Sequence, residues 1–260
     1  MSNYPYEYAR CLDMEQIRES PQTHAHSMEG FFPLLSLTEG CGALIIILVA
    51  VWTGHYRNGF SWTHDPKLEF NWHPLLMTIG MVFLYANAML IYRTQRDVRK
   101  RRLKLIHAGI MLFIVLLTVI ALVAVFDSHN LVIPPQPNMY SLHSWIGMTT
   151  VILFCCQWLT GCITFLFPGL QTPLRISYMP IHVYFGVGAF VGAIISCLLG
   201  LNEKAIFALG ENYSAFVGEG MLINFIGLLL IIFGGLSVYL VTQERYRRLP
   251  RAEDEVLLSD

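Results

Sequence analysis

Residues 105–126 read LIHAGIMLFIVLLTVIALVAVF, and that stretch decides the fold. It is continuously apolar, free of charge, and broken only by His107, Gly109 and Thr118. About 20 such residues are needed to cross the hydrocarbon of a bilayer as a helix. Outward from it, five more stretches have the same character: Leu34–Tyr56, His73–Tyr92, Leu142–Phe167, Pro180–Leu201 and Val217–Thr242. Each is uniformly apolar rather than alternating, which predicts helices and not barrel strands. The composition agrees. Only 13% of the 260 residues are charged and 55% are hydrophobic, against about a quarter charged in soluble domains. The predicted architecture is therefore an all-α membrane protein of six spans over 34–242, with tails at 1–33 and 243–260 and membrane lipid as solvent. A net charge of −1 carries no nucleic-acid footprint.

Basic residues orient the chain. The loop after span two holds Arg93, Arg96, Arg99, Lys100, Arg101, Arg102 and Lys104. On the same side lie Arg175, Arg10, Arg18, Arg245, Arg247, Arg248 and Arg251. Only Arg57, Lys67 and Lys204 of the 17 basic residues fall on the other side. Both termini are expected in the cytosol. The polar N-terminus is not expected to act as a cleavable signal, and span one is expected to insert the chain. Asn212-Tyr-Ser214, a glycosylation sequon, then faces the lumen or exterior. Cys11 falls in the cytosolic tail, and Cys41, Cys155, Cys156, Cys162 and Cys197 fall within spans. They read as packing residues, with no exterior disulfide framework.

Four of the nine histidines stand at the N-terminal ends of spans two to five: His73, His107, His143 and His182, separated by 34, 36 and 39 residues. Consecutive spans alternate in direction, so His73 and His143 share the exterior depth and His107 and His182 the cytosolic depth. Alternate helices of a four-helix bundle face one another across its core. Ionisable side chains inside a span mark function by default. A bare Zn²⁺ or Fe²⁺ site would require three or four ligands, and no Asp or Glu lies in the middle of spans two to five. Two imidazoles suit an iron already held in a porphyrin. With both axial positions filled, such an iron shuttles single electrons. Gly80, Gly109, Gly147, Gly186 and Gly188 follow the histidines and offer close approach to a bulky ring. His73-Pro-Leu-Leu-Met-Thr-Ile-Gly-Met and His143-Ser-Trp-Ile-Gly-Met form a weak internal echo.

These residues resemble the cytochrome b561 family of ascorbate-dependent transmembrane oxidoreductases. The resemblance runs from about Leu34 to Arg248. It is carried by Phe70-Asn-Trp-His73-Pro, Tyr92-Arg93, Lys104-Leu-Ile-His107-Ala, Ala124-Val-Phe, Tyr140-Ser-Leu-His143-Ser-Trp145, Pro180-Ile-His182 and Asn202-Glu-Lys204. It implies two non-covalent haem b groups, with His73 paired to His143 and His107 to His182 as axial iron ligands. It implies ascorbate as the cytosolic donor, with contacts at Arg93, Lys100, Lys104 and Arg175. For the exterior acceptor it implies contacts at Tyr140, Ser141 and His129, the last expected in an exterior loop. The acceptor is monodehydroascorbate or Fe³⁺; members of the family use either. It also implies a homodimer. His24, His26, His55 and His64 read as surface residues. Glu253-Asp-Glu-Val-Leu257-Leu258 resembles an acidic dileucine sorting signal, so a secretory-vesicle, endosomal, lysosomal or plasma membrane is expected. A polytopic metal or proton transporter using the intramembrane histidines is the alternative. The absence of carboxylates deep in the spans and of matched broken helices weighs against it.

Overall fold

The computed structural model describes residues 28–167 and 169–249. Arg10, Arg18, Cys11, Arg251 and the dileucine run lie outside the described residues. Six helices are long and apolar enough to cross a membrane, and no strand occurs among the described residues. They are α1 (Phe31–Tyr56), α2 (Pro66–Thr94), α3 (Lys100–Asn130), α4 (Leu142–Phe165), α5 (Thr172–Leu209) and α6 (Gly218–Thr242). The six predicted spans are all present, but several helices outrun their apolar stretches. Polar residues such as Asp127 and Ser128 continue α3 beyond the apolar run, because a helix need not end where lipid ends.

Local chemistry sets the ends. Asp65 caps α2, its carboxylate accepting from the main-chain N–H of Lys67 at 3.0 Å, with Pro66 at the first helical position. Ser141 and Ser144 form a capping box at the start of α4. Gly210 ends α5 with a φ of +52°, a conformation that favours glycine. Pro180, expected to open span five, lies inside α5 instead. Its missing N–H costs one main-chain bond near the start of a long helix, a loss that membrane helices tolerate.

α2 to α5 form the central bundle. α4 and α5 make the largest contact, α2 packs along α3, and α1 pairs with α6 against α2 and α5. α2 widens to a π-helical turn over Thr78–Leu84. Between the two ends of the bundle, Tyr85, Phe154, Phe190 and Phe233 are fully buried. Tyr85 stands 5.0 Å from Phe154 and 5.7 Å from Phe190, ring centre to ring centre, and its hydroxyl donates to the Gly186 carbonyl at 2.8 Å. The C-terminal stretch after α6 is tied down as well. Tyr246 is fully buried, packs 5.1 Å from Phe31, and donates to the Glu29 carbonyl at 3.1 Å.

Candidate functional site

The four histidines meet in two pairs. His73 of α2 and His143 of α4 have ring centres 6.1 Å apart; His107 of α3 and His182 of α5 stand 6.5 Å apart. The second pair lies at the end that carries the basic α2–α3 loop, the first at the opposite end.

Three of the imidazoles are held by one nitrogen. Nδ1 of His73 meets the Ala121 carbonyl at 3.2 Å, Nδ1 of His107 the Ala88 carbonyl at 2.8 Å, and Nδ1 of His143 the Ser196 carbonyl at 2.8 Å. A carbonyl accepts only a proton, so each ring carries its hydrogen on Nδ1 and keeps Nε2 as a lone-pair donor. Metal-bound histidines are fixed in this way. Small residues make the approach possible. A Cβ on Gly200 would lie 2.8 Å from Cε1 of His143, and one on Gly161 would lie 2.9 Å from Cε1 of His182. Ala88 and Ala121 are fully buried.

Two imidazoles that bind one metal from opposite sides at about 2 Å have ring centres about 6 Å apart. Both measured pairs fit that spacing. Among the described residues, no group of three or more His, Cys, Asp or Glu side chains comes together as a metal site. The donor set at each end is thus two neutral imidazoles, which suits a metal whose other ligands come from a macrocycle.

At the basic end, Tyr92 lies 5.7 Å from His107, and Phe165 and Tyr178 lie 5.5 and 6.2 Å from His182. Lys104 donates to the Phe165 carbonyl at 3.3 Å, which sets its ammonium beside that wall. Arg175 donates to Thr172 Oγ1 at 2.7 Å. Lys100, half-buried, opens α3. Arg93 is engaged elsewhere: its guanidinium donates to the carbonyls of Val241 and Gln243 at the end of α6. Arg96 extends the same clamp to the carbonyls of Tyr246 and Arg247.

At the opposite end a cavity of about 780 Å³ contains His73 and His143 and is walled by His129, Tyr140, Ser141 and Lys204. Its size lies within the range of about 300–1,000 Å³ typical of ligand sites. His129 sits in the last turn of α3, not in a loop, with Nδ1 3.1 Å from Asn138 Oδ1. Tyr140 is exposed, and the Ser141 hydroxyl is occupied as the α4 cap. Lys204, part of α5, holds its ammonium 3.8 Å above the Phe70 ring. Glu69, outside the predicted span two, is fully buried at the start of α2.

Of the glycines chosen from the sequence, Gly80 packs on Ile114 and Leu117 and Gly147 on Ser196, while Gly109, Gly186 and Gly188 face open space. The glycines that touch the imidazoles, Gly161 and Gly200, stand 18 residues after His143 and His182 respectively. That repeated spacing is the signal that finds them.

A family model described as eukaryotic cytochrome b561 matches residues 72–208. The chain is 42% identical over 219 residues to the transmembrane ascorbate-dependent reductase CYB561 of Homo sapiens, covering 84% of this chain and 86% of that one. To the protein of that name in Bos taurus it is 38% identical over 242 residues, covering 93% and 94%. To the plasma membrane ascorbate-dependent reductase CYBRD1 of Xenopus laevis it is 42% identical over 238 residues, covering 89% and 83%.

Proposed function

Because the chain belongs to the cytochrome b561 family, we propose that it is an ascorbate-dependent transmembrane reductase whose His73–His143 and His107–His182 pairs each hold one haem b. The observation that carries this reading is the double pairing of imidazoles at 6.1 and 6.5 Å, three of them already hydrogen-bonded through Nδ1. When bound, each haem would supply one-electron chemistry, held by the two imidazoles of its pair.

The protein's own residues do the rest. Nε2 of each histidine would be the ligand atom, and for His73, His107 and His143 a main-chain carbonyl of a neighbouring helix fixes its direction. Lys100, Lys104 and Arg175 hold the ascorbate monoanion at the basic end by charge-assisted hydrogen bonds. Arg93 adds its charge while it secures the end of α6. That end faces the cytosol, with both termini, as the positive-inside rule requires. His129, Tyr140 and Ser141 border the path by which an acceptor approaches His73 and His143. The acceptor is monodehydroascorbate, which gains one electron and takes one proton from the surrounding water to become the ascorbate monoanion, or Fe³⁺, which gains one electron to become Fe²⁺. The working unit is a homodimer in a secretory-vesicle, endosomal, lysosomal or plasma membrane.

Purified protein is expected to contain two haems per chain and to show reduced-haem absorption on addition of ascorbate. Haem that ascorbate leaves oxidised would overturn the donor assignment. Zinc in place of haem would favour the transporter reading. Sealed vesicles loaded with ascorbate, and offered Fe³⁺ or monodehydroascorbate outside, decide between the acceptors.

A further inference from the structure

Three imidazoles find their main-chain acceptors in a shared register. Ala121, which receives His73, lies fourteen residues after His107; Ser196, which receives His143, lies fourteen after His182; Ala88, which receives His107, lies fifteen after His73. Each offset is about four helical turns. Every one of these helices therefore carries an imidazole and, four turns on, the seat for the imidazole of a neighbour. On α4 the imidazole is His143, and the residue fourteen further on is Gln157.

The α4–α5 contact gives the same position independently. His143 presses on Gly200, and its acceptor Ser196 is one turn before that glycine; His182 presses on Gly161, and one turn before that glycine is Gln157. His182 is also the exception among the four. Its Nδ1 is buried with no hydrogen-bond partner, and the Gln157 side-chain Oε1 is buried with none either. The aromatic rings of Phe165 and Tyr178 flank His182, but the Tyr178 hydroxyl donates to Thr160 Oγ1 at 2.7 Å. A buried donor and a buried acceptor, each unsatisfied and in matching register, belong together.

We infer that Gln157 is the positioning residue of His182, its Oε1 accepting the Nδ1 hydrogen and leaving Nε2 for the iron. Ser196 is the precedent within the molecule: besides its carbonyl, its hydroxyl lies 3.3 Å from Nδ1 of His143. An acceptor on Nδ1 raises the basicity of the ligating nitrogen and stabilises the more highly charged iron, so Gln157 lowers the potential of the cytosolic-end haem. This rests on His182 being an axial ligand, as proposed above.

The test is a potentiometric titration of the purified full chain, read at both haems by absorbance, with electron paramagnetic resonance of the oxidised form. Gln157→Leu removes the acceptor at similar volume; the potential of the cytosolic-end haem is expected to rise and its g-values to shift, with the other haem unchanged. Gln157→Glu supplies a stronger acceptor and should move that potential the opposite way. Unchanged potentials in Q157L overturn the inference, and so does loss of the cytosolic-end haem in both variants, because glutamate keeps the acceptor. His182→Ala tests the underlying assignment separately: retention of both haems there overturns the ligand role itself.

Discussion

Gly161 and Gly200 leave His182 and His143 no spare room. A methyl at either position would stand within 3 Å of a ring carbon, well inside van der Waals contact, and the ring would have to tilt. Gly200→Ala is expected to weaken haem binding at the His73–His143 end, and Gly161→Ala at the His107–His182 end, each by about 10–100-fold. Absorption spectra should lose one haem signal in each variant and keep the other; loss of both, or of neither, would contradict the seating described. On the proposed reading, His107→Ala or His182→Ala should remove the haem at the end of the α2–α3 loop and stop ascorbate oxidation, whereas His73→Ala or His143→Ala should spare part of that reaction. The histidines themselves were legible because an ionisable ring in a span has few other reasons to be there. The glycines were not, because nearness in sequence stood in for nearness in space. In an antiparallel pair the residue that meets a ring lies on the other helix, five turns from that helix's own histidine.

Two clamps hold the elements in place. Glu219 accepts from Trp52 Nε1 at 2.8 Å and from Arg57 Nε at 2.7 Å, joining α6 to the end of α1. Glu219→Ala strands both donors and is expected to cost about 2–3 kcal/mol, seen as a lower melting temperature of the haem-loaded protein. Arg96→Ala releases the carbonyls of Tyr246 and Arg247 and is expected to cost less, about 1 kcal/mol; increased protease cleavage after Thr242 would report it. Neither clamp was readable in advance. Arg57 and Arg96 read from the sequence as orienting charges and Arg93 as a donor contact. Which helix end each one reaches depends on how α1 and α6 sit against the bundle. Apolar faces in lipid specify that poorly, since lipid and neighbouring helices are equally apolar. The six helices themselves were readable because lipid demands an unbroken apolar run.

For the whole molecule, the uneven distribution of basic residues predicts a vectorial reaction. Ascorbate should drive reduction from the side of the α2–α3 loop only, which vesicles of defined orientation can check. Lys104→Ala should raise the half-saturating ascorbate concentration about tenfold, equivalent to the loss of one charge-assisted bond of about 1.4 kcal/mol, with both haem spectra intact. Unchanged ascorbate kinetics would remove Lys104 from the donor site. The reciprocal seating of His143 on Gly200 and His182 on Gly161 has a mechanical corollary. A slip of α4 along α5 by one residue, about 1.5 Å, unseats an imidazole at both membrane faces at once. A one-residue insertion between His143 and Gly161 should therefore damage both ends together, so neither histidine pair drifts in dimension alone and the two share a single manufacturing tolerance.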